Sequence, residues 1–148
     1  MDIIAPQSTA IEPEVFQATL IEFITKTLLR ENSPPCLLRA PTGSGKTFVI
    51  AKVLQNVTEA SPTIWFWFVP FVNLVQQTED VIAGNATTLV PISMSVGRNQ
   101  EPASGQVIIS TAQSVGKAKS RIDGYADGTD DFTRSLDGLV ALARAKNL

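Results

Sequence analysis

The stretch that most constrains this chain is Ala40-Pro41-Thr42-Gly43-Ser44-Gly45-Lys46-Thr47. It fits the phosphate-binding loop pattern G-x-x-x-x-G-K-[ST], with Ala40 standing where the first Gly usually stands. Each residue type has a physical reason. A polyphosphate is held by backbone N–H groups, so the chain must curl closely around it. Gly43 and Gly45 permit φ > 0 and present no Cβ. The loop should open a helix whose first N–H groups and dipole face the anion. The expected nucleotide contacts in it are Thr42, Gly43, Ser44, Gly45, Lys46 and Thr47. Lys46 places a compact positive charge on the β- and γ-phosphates. The Thr47 hydroxyl is an oxygen ligand of the kind Mg²⁺ prefers. These two residues are also the candidate catalytic groups.

The flanking sequence supports the loop. Cys36-Leu37-Leu38-Arg39 is a short, mostly apolar run that predicts a buried strand, with Arg39 at its end. Residues 48–57 carry Ile50, Val53, Leu54 and Val57 at helical spacing. A Gly/Ser turn that happens to precede a Lys is the competing reading. The order strand, loop, helix argues for the phosphate loop.

Composition excludes several classes of chemistry. At 148 residues, with 44% hydrophobic and 18% charged residues, the chain can build one globular core. It has no His, which removes Ser-His-Asp triads and His-ligated metal sites. Its one Cys, Cys36, allows no intrachain disulfide, in keeping with a cytoplasmic location. The net charge of −2 provides no general attraction to nucleic acid, so any such contact must be a local strip. The first ten residues lack the basic start and apolar block of a signal peptide, and no apolar run approaches membrane-spanning length.

Residues 1–12 read as an arm and 13–148 as one domain. Pro13 and Glu14 suit the start of a helix. Phe16, Leu20, Ile24 and Leu28 follow at i, i+4 steps, with Ile21 and Phe23 broadening the apolar face. Asn32-Ser33-Pro34-Pro35 stops it. After the loop helix, Thr63-Ile64-Trp65-Phe66-Trp67-Phe68-Val69 is an unbroken apolar run, which predicts a strand buried on both faces of a parallel sheet. Pro70 ends it and a helix follows, with Gly84 as its expected end. Residues 87–94 form a weaker strand that Pro91 assigns to an edge. Residues 97–105 read as a surface loop. Gln106-Val107-Ile108-Ile109-Ser110-Thr111 is a third strand, and Thr111 can cap a following helix. Lys117, Lys119 and Arg121 make the densest basic cluster, with phosphate contact the first reading and a plain solvated face the second. Residues 132–146 form a last amphipathic helix carrying Leu136, Leu139, Val140, Leu142 and Ala143.

These motifs together resemble those of the superfamily-two helicases and translocases. That group includes the DEAD/DEAH-box proteins and the motor subunits of type I and type III restriction enzymes, and the type III subunit is the best likeness. A-P-T-G-S-G-K-T is similar to its motif I. The segment Pro70-Phe71-Val72-Asn73-Leu74-Val75-Gln76-Gln77 looks like motif Ia, usually P-T-R-E-L-A-x-Q. Pro70, Leu74 and Gln77 match it, while Val72 departs where a basic residue is often found. Ser110-Thr111-Ala112-Gln113 resembles the next motif, a strand-end Thr whose hydroxyl touches the nucleic-acid backbone.

The resemblance implies an α/β P-loop fold with a RecA-like parallel sheet flanked by helices. It implies ATP and Mg²⁺ as ligands and a nucleic-acid partner, DNA ahead of RNA. Pro70, Asn73, Gln77, Thr111, Lys117 and Lys119 would line the nucleic-acid track. Gln17, at the family's distance ahead of the loop, would read the adenine edge; a solvated helix Gln is the other reading. Hydrolysis in such proteins needs an apolar strand ending in D-E-x-x and an arginine finger from a second RecA-like domain. Neither occurs in these residues, and Asp130 and Asp131 follow no apolar strand. The expectation is therefore a partial first RecA-like domain, ending before the acidic strand, that binds ATP and leaves turnover to a further domain or subunit. It also predicts an unpaired apolar edge at residues 36–39. Two competing functions are a P-loop kinase-type phosphotransferase and a non-catalytic nucleotide-binding fragment.

Overall fold

The computed structural model describes residues 13–41, 43–94, 100–114 and 136–148, without the side chain of Asp137. The element order is α1 (Val15–Leu28), α2 (Lys46–Ala60), β1 (Trp65–Val69), α3 (Asn73–Asn85), β2 (Val90–Ser93), β3 (Gln106–Thr111) and α4 (Leu136–Ala145). Residues 1–12 and the basic positions Lys117, Lys119 and Arg121 lie outside the described residues, as do Asp130 and Asp131 and the first residues of the expected last helix.

The three strands form one parallel sheet in the order β1-β3-β2. β1 pairs with β3 from Trp65↔Val107 to Val69↔Thr111, and β2 pairs with it from Val90↔Gln106 to Ser93↔Ile109. β3 is thus the central strand. Its residues from Val107 to Thr111 are all buried, because helices cover both of its faces. On one face Val107 and Ile109 pack with Ala51 and Leu54 of α2 and Ile82 of α3. On the other, Ile108 packs with Met94 and with Leu139 of α4. α1 lies outside this sandwich against α2, where Ile21 and Ile24 meet Phe48, Val49, Val53 and Val57. The result is the helix-flanked parallel α/β sheet expected of a RecA-like fragment.

Three expectations need correction. The segment Cys36-Leu37-Leu38-Arg39 is not a strand of this sheet. Prolines at 34, 35 and 41 remove backbone donors on both sides of it, so a ladder has little to hold. Leu38 packs against the α1–α2 core, but Leu37 is 89% exposed. The expected open edge at these residues is therefore a coil, and the open sheet edge lies elsewhere.

The second correction concerns that edge. Trp65, Phe66 and Trp67 are half-buried and Phe68 is 47% exposed, although the unbroken apolar run pointed to burial on both faces. β1 has a neighbour on one side only among the described strands. The third is in α1. Phe16 and Phe23 are exposed, while Ile21, Ile24 and Thr27 form its buried stripe. At 3.6 residues per turn the two Phe lie about a quarter turn off the line through Ile24.

Other boundaries agree with the sequence to within about three residues. α1 starts at Val15 with Glu14 as its N-cap, two residues beyond the Pro13 start. α3 ends at Asn85 rather than Gly84. β2 is an edge strand, and Pro91 sits in it where a missing N–H is tolerated.

Candidate functional site

The loop residues form a tight turn into α2. Ser44 N–H donates to the Pro41 carbonyl at 3.2 Å, which closes the turn. Gly43 has φ +82°, with nothing within 4 Å of where a Cβ would stand, so its outer face is open for a ligand. Gly45 is the N-cap of α2 with φ +76°, and its carbonyl accepts the first helical bond from Val49 N–H at 2.9 Å. Both angles belong to the left-handed region that Gly enters without cost. Lys46, Thr47 and Phe48 are then the first three residues of α2, whose N–H groups have no partner inside the helix. This is the anion-binding end of a helix.

The charged residue is in place. Lys46 is exposed, and its ammonium donates to the Ala40 carbonyl at 2.7 Å, across the mouth of the loop. Thr47 follows it, half-buried. The cradle fits a Mg²⁺-polyphosphate by its donor chemistry. Mg²⁺ keeps several waters and takes phosphate oxygens plus one or two protein oxygens, so a single hydroxyl is a sufficient protein share. The described residues contain no group of three or more Cys, Asp or Glu side chains able to hold a metal by themselves.

Gln17 reaches this loop from α1. Its Oε1 accepts Glu14 N–H at 3.0 Å and its Nε2 donates to the Ser44 carbonyl at 3.0 Å. A backbone donor on one side and a backbone acceptor on the other fix which way the amide faces. One N–H and one lone pair of the amide remain beyond these bonds. The two readings of Gln17 are an adenine contact implied by the resemblance and a solvated helix residue; the structure shows it bonded to the loop itself. Thr42 lies outside the described residues.

α2 ends shortly before β1 and packs along the sheet, so its N-terminus lies toward the carboxyl ends of the strands. In open parallel sheets that end is where ligands bind. A groove of about 420 Å³ opens there between α3 and the ends of β2 and β3. Val72, Val75, Gln76 and Glu79 form one wall; Ser93, Ser110, Thr111 and Ser114 form much of the other. Thr111 Oγ1 accepts Ser114 N–H at 3.2 Å and lies 2.8 Å from Ser114 Oγ. This is the N-cap geometry read from the sequence.

The expected nucleic-acid residues are only partly gathered here. Thr111 lines the groove, whereas Pro70, Asn73 and Gln77 are exposed and are not among its lining residues. Gln76 and Glu79 stand there instead. Both follow Val72 at helical i+3 and i+4 steps (Val72, Val75, Gln76, Glu79), a signal present in the sequence. The start of α3 also uses more of its own donors than expected: Leu74 and Val75 N–H bond to the Phe71 and Val72 carbonyls at 3.0 and 3.1 Å. Glu22 on α1 is held below the ordinary carboxylate range, first by a hydrogen bond from Lys26 and then by its charge.

Comparison with known families is consistent with this geometry. Residues 10–136 match the family model described as type III restriction enzyme, res subunit. No curated protein and no solved structure matches the chain. The match spans most of the sequence, including the phosphate loop, all three strands and the residues of the groove. The chain belongs to the family of type III restriction enzyme res subunits, with a helicase-like P-loop domain.

Proposed function

We propose that this chain is the ATP-binding segment of an ATP-dependent motor acting on nucleic acid, DNA ahead of RNA. The observation that carries the reading is the loop geometry: two left-handed glycines, an exposed Lys46 and the free amino end of α2 converge on one open cradle. Lys46 exchanges the Ala40 carbonyl for the β- and γ-phosphates. The amides at the start of α2 receive the phosphate oxygens, and Thr47 supplies an oxygen to Mg²⁺. The ion, when bound, neutralises phosphate charge. Gln17 keeps one N–H and one lone pair with which to meet an adenine edge. The groove under α3 faces the polymer with hydroxyls, which recognise phosphate and sugar rather than base sequence. A kinase-type phosphotransferase and a non-catalytic binding fragment use the same loop.

Titration with a fluorescent ATP analogue tests the reading. Wild-type protein is expected to bind in a Mg²⁺-dependent way. Lys46→Ala is expected to weaken binding at least tenfold, since it removes a charge-assisted contact of about 1.5–3 kcal/mol. Equal affinity in the two proteins would refute it.

A further inference from the structure

Among the described residues, one side chain from outside the phosphate loop holds it by a hydrogen bond. Ser44 has both backbone groups engaged: its N–H by the Pro41 carbonyl and its carbonyl by Gln17 Nε2. Its hydroxyl is buried and has no hydrogen-bond partner among the described residues, so these two backbone bonds are what fix it. The first bond lies within the loop. The second crosses from α1, 27 residues away in sequence. Gln17 also fills the space beside Gly45, where an added Cβ would stand 2.7 Å from Nε2. The second glycine of the loop thus makes room for this amide, besides supplying its own φ of +76°. Gln17 Oε1 is anchored in turn on Glu14 N–H, so the amide is a rigid link between the start of α1 and the middle of the loop.

We propose that Gln17 is a positioning residue of the phosphate loop, which raises affinity for polyphosphate whatever base is attached to it. This rests on the loop being the nucleotide site. A loop already held in its binding shape has less conformational freedom to lose when the anion arrives. The effect acts through Ser44, not through the base, and it therefore extends to ligands that have no base.

Inorganic tripolyphosphate is the deciding probe, measured beside ATP by calorimetry on the 148-residue chain. Gln17→Met keeps the side-chain length and removes the donor to Ser44. Tripolyphosphate affinity is expected to fall about fivefold, the scale of one neutral hydrogen bond. Amide exchange of residues 43–46 is expected to accelerate in the same variant, with the melting midpoint followed in parallel. Glu14→Pro is the control for a role confined to α1. Glu14 has φ −64°, which suits proline, and the change removes the N–H that Gln17 caps together with the carboxylate that caps the Gln17 backbone N–H. That variant loses one anchor of the amide but keeps the bond to Ser44, so it is expected to weaken tripolyphosphate binding clearly less than Gln17→Met does. The proposal is overturned if Gln17→Met leaves tripolyphosphate affinity unchanged, or if Glu14→Pro weakens it as much. Wild-type tripolyphosphate binding that ignores Lys46→Ala would instead refute the nucleotide site, and this inference with it.

Discussion

Lys52 Nζ donates to the backbone carbonyl of Asn85 at 2.5 Å, which ties the phosphate-loop helix to the far end of α3. Asn85 is the last residue of α3, where unpaired carbonyls and the helix dipole concentrate negative charge. The ammonium also lies 5.8 Å from the Phe48 ring centroid, an aromatic contact on its own helix. One cation therefore holds the two helices that bear the loop and the groove.

Lys52→Met should test that link. Met keeps an apolar stem of similar length over Phe48 and removes the donor. The Asn85 carbonyl then loses a charge-assisted bond at a half-buried position, worth about 1–2 kcal/mol. A urea titration should show a lower midpoint with an unchanged slope. A midpoint equal to wild type would mean that water replaces the ammonium without cost.

Much of this fold could be read in advance because its signals are local. The glycines at 43 and 45 require their φ values wherever the loop lies, and they show them. The runs 65–69 and 106–111 are strands because β-branched and aromatic residues stand together between turn residues. What could not be read depends on neighbours. Two apolar runs, 36–39 and 65–69, look alike in sequence, yet only the second finds a partner strand. Which strand is central is set by pairing, so the exposure of Phe68 was hidden while the burial of Ile108 was not. Phe16 and Phe23 could have been assigned to the flank of α1 by a stricter helical count. The bond from Gln17 to Ser44 joins two segments whose approach no spacing rule specifies.

The groove under α3 yields a prediction of sign. Its walls carry hydroxyls from Ser93, Ser110, Thr111 and Ser114, but also the carboxylate of Glu79. A phosphate entering this groove meets one fixed negative charge of the protein. Glu79→Gln keeps the shape and removes that charge, so single-stranded oligonucleotide affinity should rise about threefold in low salt, and less in high salt, where screening shortens the reach of the carboxylate. Fluorescence anisotropy at two ionic strengths measures both. Weaker binding in the variant would show that Glu79 accepts hydrogen bonds from the polymer instead of repelling it.

The last prediction concerns the free side of β1. A strand with one neighbour presents a row of N–H and C=O groups along its other side. Protein edges are usually protected there by a charge, a proline or a bulge, and Trp65-Phe66-Trp67-Phe68-Val69 carries none of these. Beside it lies an apolar groove of about 280 Å³, bordered by Ile50 and Leu54 of α2 and by residues 65–68. Among the described residues nothing covers either feature. The 148-residue chain is therefore expected to self-associate as its concentration rises, through this edge and not through residues 36–39. Phe68→Lys places a charge on the strand at a position already 47% exposed, so the core keeps its packing while edge-to-edge pairing becomes unfavourable. Sedimentation velocity across a concentration series should show a weight-average that climbs for wild type and stays near the monomer for the variant. Leu37→Lys, in the exposed coil ahead of the loop, should leave the wild-type behaviour in place. A wild-type chain that stays monomeric throughout would show that β1 is covered, and identical curves for wild type and Phe68→Lys would place the association on another surface.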